Sequence, residues 1–154
     1  MSRTLLLLAA ALGATAVLGG CSSSVEVAPA PDAADPACAR VVAALPDQVA
    51  GGDRRETTAQ GSAAWGDPAV VLRCGVRPPG PTTDECQHLE SPDGTAVDWV
   101  VHDPRGGRVV WTTYGRVPAV ELSMPADGSV TSAAPLDVAG AVAVVAPQRR
   151  CTPG

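Results

Sequence analysis

The residues with the widest chemistry in this chain are five cysteines: Cys21, Cys38, Cys74, Cys86 and Cys151. A thiol can serve as nucleophile, metal ligand, lipid acceptor or half of a disulfide, and its neighbours separate these roles. Cys86 and His88 form a Cys-x-His pair, which lacks zinc-site spacing, so no metal centre is expected. His88 and His102 are the only histidines, and no Gly-x-Ser-x-Gly elbow accompanies them. Asp98 and Asp103 have no spacing that marks a general acid and base. No catalytic residue, cofactor or metal ligand is therefore assigned, and the chain is not expected to be an enzyme.

Cys21 has a setting that the other four lack. Arg3 gives a positive start, Leu5 to Leu18 form an apolar run, and Leu18-Gly19-Gly20-Cys21 closes it. The run suits an export signal and falls short of the ~20 residues of a membrane-spanning helix. Leu-Gly-Gly-Cys at this place resembles a bacterial lipobox, whose cysteine takes a diacylglycerol thioether and becomes the first mature residue. The expectation is a signal peptide over 1–20 and lipidation at Cys21. The lipid would hold the protein on the outer face of the cytoplasmic membrane. An ordinary cleaved signal, with Cys21 a plain cysteine, is the alternative.

Four cysteines then remain, and an even number in an exported domain reads as two disulfides. Three pairings are open. The favoured one is Cys74–Cys86, closing a Pro/Gly-rich loop, with Cys38–Cys151 joining the ends of the domain. Each bridge would contribute roughly 3 to 5 kcal/mol by loop-closure entropy.

Composition bounds the partners. The chain has 154 residues and a net charge of −5, and all 11 of its basic residues are Arg. Lys, Ile, Asn and Phe are missing, a bias that reflects a GC-rich genome more than a function. Arg54-Arg55 and Arg149-Arg150 are pairs, too small for a phosphate backbone, so nucleic acid is not an expected partner.

The elements that would position these residues follow from pattern. Residues 21–36 are small, polar and Pro-rich and read as a disordered tether, leaving 37–154 as one domain. Asp35-Pro36 is a helix start, and Cys38, Val41, Val42 and Leu45 share one helical face before Pro46. Gly51 to Ala63 reads as irregular. Ala69 to Val76 reads as a strand and Val76 to Asp84 as a loop. Val97, Trp99 and Val101 alternate with Asp98, Val100 and His102, and a turn at 104–107 leads to a strand over 108–114. Gly115-Arg116 is a candidate two-residue turn before a strand at 120–124. Leu136 to Ala146 is read as a helix. The fold class expected is α+β, a small antiparallel sheet with N- and C-terminal helices on one face and two disulfides.

Ala64-Trp65-Gly66-Asp67-Pro68, Val70-Val71-Leu72-Arg73-Cys74-Gly75, Val97-Asp98-Trp99 and Thr112-Thr113-Tyr114-Gly115-Arg116 carry a resemblance. In combination they resemble a family of small actinobacterial lipoproteins catalogued as a domain of unknown function. The resemblance covers residues 25 to 151. It implies an exported, cysteine-bridged envelope protein with no established activity, and it supplies no catalytic or binding residues.

Five residues remain as candidates for binding. Trp65 and Asp67 could be the wall and anchor of a ligand site, or a core plug and a turn. Tyr114 and Arg116 could offer an aromatic face and a guanidinium to an anionic or sugar ligand. Arg73 could join a charged cluster if it shares a side with Glu121, Asp67 or Arg116. Trp65 is expected to be buried and Arg116 exposed at a hairpin tip. The functional expectation is a lipid-anchored binding module for an envelope protein or glycan. An accessory or spacer subunit of an envelope complex is the second reading, and an enzyme of envelope metabolism the third.

Overall fold

A computed structural model describes residues 24–67, 69–130 and 133–152. The expected signal peptide and Cys21 lie outside the described residues. Helix α1 spans Pro36–Ala44. Asp35 caps it as expected, its Oδ1 accepting from the Ala37 N–H at 2.7 Å, with Pro36 in the first turn. Eight strands follow: β1 Gln48–Val49, β2 Gly52–Arg55, β3 Ser62–Trp65, β4 Val70–Val76, β5 Glu85–Glu90, β6 Ala96–Arg105, β7 Arg108–Thr113 and β8 Ala119–Pro125. Two short helices close the described chain, α2 Ala134–Asp137 and α3 Ala139–Val142.

The sheet is antiparallel throughout, in the order β1-β2-β3-β4-β8-β7-β6-β5. It is two four-strand meanders joined where β4 meets β8. One face is apolar. Val70, Leu72 and Cys74 of β4, Val120, Leu122 and Met124 of β8, and Val97 and Trp99 of β6 pack with Trp111 in one core. Cys38, Val41 and Leu45 of α1 join this core with Val138, Ala139 and Val142 from the C-terminal helices. The α+β expectation, with helices on one face, holds. Without Phe, the large pieces of the core are tryptophans. Trp99 and Trp111 meet edge to face at 6.3 Å, and Trp65 donates from Nε1 to the Pro46 carbonyl at 3.0 Å.

Several local expectations are corrected. The stretch read as irregular contains β2 and the start of β3, because backbone pairing of β2 to β3 and of β3 to β4 organises residues whose side chains signal little. β5 was not foreseen either; it is an edge strand, largely exposed, and lacks an apolar alternation. The helix expected over 136–146 is two single turns hinged at Val138, where β-branched residues and Gly140 weaken helix propensity. The segment 25–35, read as tether, lies along the fold. Val27, Ala30 and Ala33 are buried, and the Asp32 N–H donates to the Gly75 carbonyl at 2.9 Å. Gly75 sits at φ 89° in a bulge of β4, where a Cβ would strike the Asp32 backbone.

The cysteines form two disulfides, as expected, but the pairing is Cys38–Cys74 and Cys86–Cys151. The register excludes Cys74–Cys86. Cys74 points into the core from β4, whereas Cys86 shares a row with Arg73 on the opposite face, four strands away. Cys38 on the buried face of α1 is the neighbour that Cys74 meets. Disulfides of this kind point to an extracytoplasmic protein. No helix among the described residues is long and apolar enough to cross a membrane.

Two outcomes follow. Trp65→Ala should lower stability by about 3 to 5 kcal/mol in urea titration, whereas Val144→Ala, at a position 42% exposed, should stay within about 0.5 kcal/mol. Under graded reductant, alkylation with mass mapping should find Cys86 and Cys151 labelled first. Cys86 is exposed, while Cys38 and Cys74 are fully buried and open only with the core.

Candidate functional site

The core consumes the inner face of the sheet, so chemistry has to sit on the outer face. One outer row runs Arg73, Glu121, Thr112, Val100, Cys86 from β4 to β5. Arg73 donates from Nε and Nη2 to Glu121 Oε1 at 3.0 and 2.7 Å, and from Nη1 to the Ala28 carbonyl at 3.3 Å. The expected pairing of Arg73 with Glu121 is present. Both side chains keep some solvent, so the pair contributes no more than about 1 kcal/mol. Nearby, Arg108 donates from Nε to Ser123 Oγ at 2.7 Å and from Nη2 to the carbonyls of Ala69 and Ser123, both at 2.8 Å. Partial burial lowers the pKa of Arg108.

Asp84, His102 and Thr112 stand in a string. Asp84 Oδ2 lies 3.5 Å from His102 Nδ1, and His102 Nε2 lies 3.2 Å from Thr112 Oγ1. The order is that of an acid–base–nucleophile chain. The first contact is longer than a good hydrogen bond, and Thr112 is only 5% exposed, so a substrate carbonyl has no approach to its hydroxyl. The string orients the edge of the outer face.

A second polar knot fixes the end of the chain. Asp98 is buried in β6, where His88 Nδ1 lies 2.6 Å from its Oδ1 and the Cys151 N–H donates to its Oδ2 at 2.9 Å. Arg116 is 3% exposed, which corrects the expectation of an exposed hairpin tip. The connection from β7 to β8 spans residues 114–118 and is longer than a two-residue turn, so Arg116 turns inward beneath the tail. It donates from Nη1 to the Val145 carbonyl and from Nη2 to the Ala96 carbonyl at 3.1 Å, tying the C-terminal segment to the sheet. Burial lowers its pKa, the charge of Asp98 opposes that, and Arg150 adds to it. The tail continues with the Gln148 N–H on the Gly115 carbonyl, and a Cβ at Gly115 would strike the Arg149 carbonyl. Cys86–Cys151 then anchors it to β5.

This tail and the loop 77–84 wall two clefts that share Tyr114 and are read together as one groove. On one side is a cleft of about 160 Å³, lined by Pro78, Pro79, Tyr114, Arg116, Gln148 and Arg149 among others. On the other is a cleft of about 280 Å³, lined by Thr82, Thr83, Asp84 and Tyr114 beside the Cys86–Cys151 bridge. Tyr114 is half-buried and its N–H is held by the Asp98 carbonyl at 2.8 Å.

Of the five candidate binding residues, the fold brings Tyr114 and Arg116 to this groove. Arg73 stays in its own row with Glu121. Trp65 is fully buried as expected and Asp67 is exposed in the turn after it, and both line a separate cleft of about 360 Å³ with Val49, Val70 and Val130. Arg149, Asp84 and the prolines of the loop were missed. Their only signals were an Arg pair that reads as solvated surface and a Pro-rich stretch that reads as linker. Among the described residues, no group of three or more His, Cys, Asp or Glu is placed to hold a metal ion.

Arg116→Ala should destabilise the fold by about 2 to 4 kcal/mol in urea titration, because the buried Val145 carbonyl and the half-buried Ala96 carbonyl lose a charged donor. Arg149→Ala, at an exposed position, should stay within about 0.5 kcal/mol.

No curated protein and no solved structure matches this chain. Residues 3–151 match the family described as protein of unknown function (DUF3515), and with nearly its whole length covered the chain belongs to that family.

Proposed function

We propose that this protein is a lipid-anchored binding module of the cell envelope, held by Cys21 on the outer face of the cytoplasmic membrane. Its seat is the groove on either side of Tyr114. The two disulfides and the export-type leader support the location. The groove carries the binding reading: it is concave, walled by fixed backbone, and set with a few polar groups around one aromatic ring.

The groups that face this groove are those of a binder. All four cysteines of the described chain are in disulfides, and Asp98 is spent on His88 and the tail. What remains open to a ligand is Tyr114, Arg149, Asp84 and threonine hydroxyls. Aromatic and arginine groups in such a setting give contact area and directional bonds.

Anchoring and binding are tested separately. Cys21→Ser should move the protein from the membrane fraction to the soluble exported fraction, since stable anchoring needs the acyl chains. Retention of that variant on membranes would remove the anchor. A photoreactive side chain placed at Tyr114 should crosslink a discrete partner or ligand in intact cells, while the same group at exposed Val144 should not. Equal labelling from both positions, or none from either, would turn the reading toward a spacer subunit.

A further inference from the structure

The two lobes of the groove carry opposite charge. Among the described residues, the lobe beside Pro78 and Pro79 is lined by two guanidinium residues, Arg116 and Arg149, and by no carboxylate. Among the described residues, the lobe beside Thr82 and Thr83 is lined by Asp84 and by no Arg. Tyr114 lines both. From this polarity we infer that the groove seats a short peptide with free ends, its carboxylate toward Arg149 and its ammonium toward Asp84. The inference rests on the binding reading above and deepens it.

Each group is free for that task to a different degree. Arg116 spends its terminal nitrogens on Val145 and Ala96, and Asp98 offsets part of its charge, so it contributes field more than bonds. Arg149 is exposed and supplies the fork that matches a carboxylate. The Asp84 side chain is 51% exposed and its contact to His102 is a long 3.5 Å, so its carboxylate can still accept from an ammonium.

Size and polarity favour this ligand over others. Clefts of about 160 and 280 Å³ are each small, so a ligand that uses both has to be a short one with a charged group at either end. A neutral glycan would stack on Tyr114 but leave Arg149 and Asp84 unmatched. A phosphate or a lone carboxylate would use the Arg149 lobe and leave Asp84 unmatched.

Tyr114 is the only tyrosine in the chain, so its ring resonances report this position alone. The test is an NMR titration of the full chain in detergent with trialanine, N-acetyl-trialanine, trialanine amide and diacetylchitobiose. Free trialanine should shift the Tyr114 ring, and blocking either end should weaken Kd about tenfold, the scale of one lost charge-assisted hydrogen bond. Arg149→Gln should erase the difference between the free peptide and its amide. Asp84→Asn should erase the difference between the free and acetylated peptides. Both positions are exposed, and unchanged urea titrations would show that the variants keep the fold. Blocked peptides that bind as well as free ones would overturn the inference, as would a ring that answers only to the glycan. A ring that answers to no probe would overturn it too; continued crosslinking from position 114 in cells would then leave the broader binding reading standing.

Discussion

The connection between β4 and β5 is the constraint from which the outer face takes its form. β8 lies beside β4, so the chain leaving β4 has to reach the far edge of the sheet before the second meander can begin. Glu85 lies in the row of Leu72, four strand spacings away and four residues of rise back from Val76. At about 4.8 Å per strand and 3.3 Å per residue the straight path is roughly 23 Å. A connection over 77–84 reaches about 30 Å when fully extended. It therefore has little slack, and Arg-Pro-Pro-Gly-Pro suits an extended path. With the inner face filled by helices, this strap has only the outer face or its rim to follow, and there it becomes a wall.

The two faces hold together by different physics. The inner face is a contiguous core of Val, Leu and Trp closed by α1 and the C-terminal turns, and its stability comes from apolar burial. The outer face has few apolar groups to bury. It is held by directional bonds that link distant parts of the chain: Arg73 to Glu121 and Ala28, Arg108 to Ala69 and Ser123, Arg116 to Val145 and Ala96, and Asp98 to Cys151. Individually these give modest net stability, because each group gives up hydration to form them. Their value lies in geometry: the bonds to Ala28, Ala69, Val145 and Cys151 fix segments outside the strands that backbone pairing alone would leave unplaced. The disulfides divide in the same way, Cys38–Cys74 within the core and Cys86–Cys151 on the outer face.

The sequence was legible where the pattern is local. Asp35-Pro36 announces a capped helix, and the alternation from Val97 to His102 assigns each side chain to the face it occupies. The burial of Trp65 follows from a chain that lacks Phe. It was illegible where topology decides. Loop length suggested Cys74–Cys86, yet side-chain parity in the sheet sends these two to opposite faces, and parity across strands cannot be read before the strand order is known. β2 and β5 are polar strands placed by their neighbours. Arg116 reads as a solvated turn residue and becomes buried because the tail from Val145 onward closes over it. The groove draws Asp84, Tyr114 and Arg149 from three separate segments, and no spacing in the chain joins them.

The same topology argues about the kind of chemistry this surface can do. A reaction needs an accessible nucleophile or base with a partner that holds it ready. Among the described residues, the Thr112 hydroxyl beside His102 is largely buried, and the four cysteines are in disulfides. The accessible polar groups around Tyr114 are Asp84, Arg149 and threonine hydroxyls, and the proposed binding groove rests on them. Its wall on the Asp84 side includes the Cys86–Cys151 bridge, so this lobe is complete only when the tail has docked through Asp98 and the bridge has closed. A chain kept reduced would lack the covalent link that holds Cys151 against β5 in this wall.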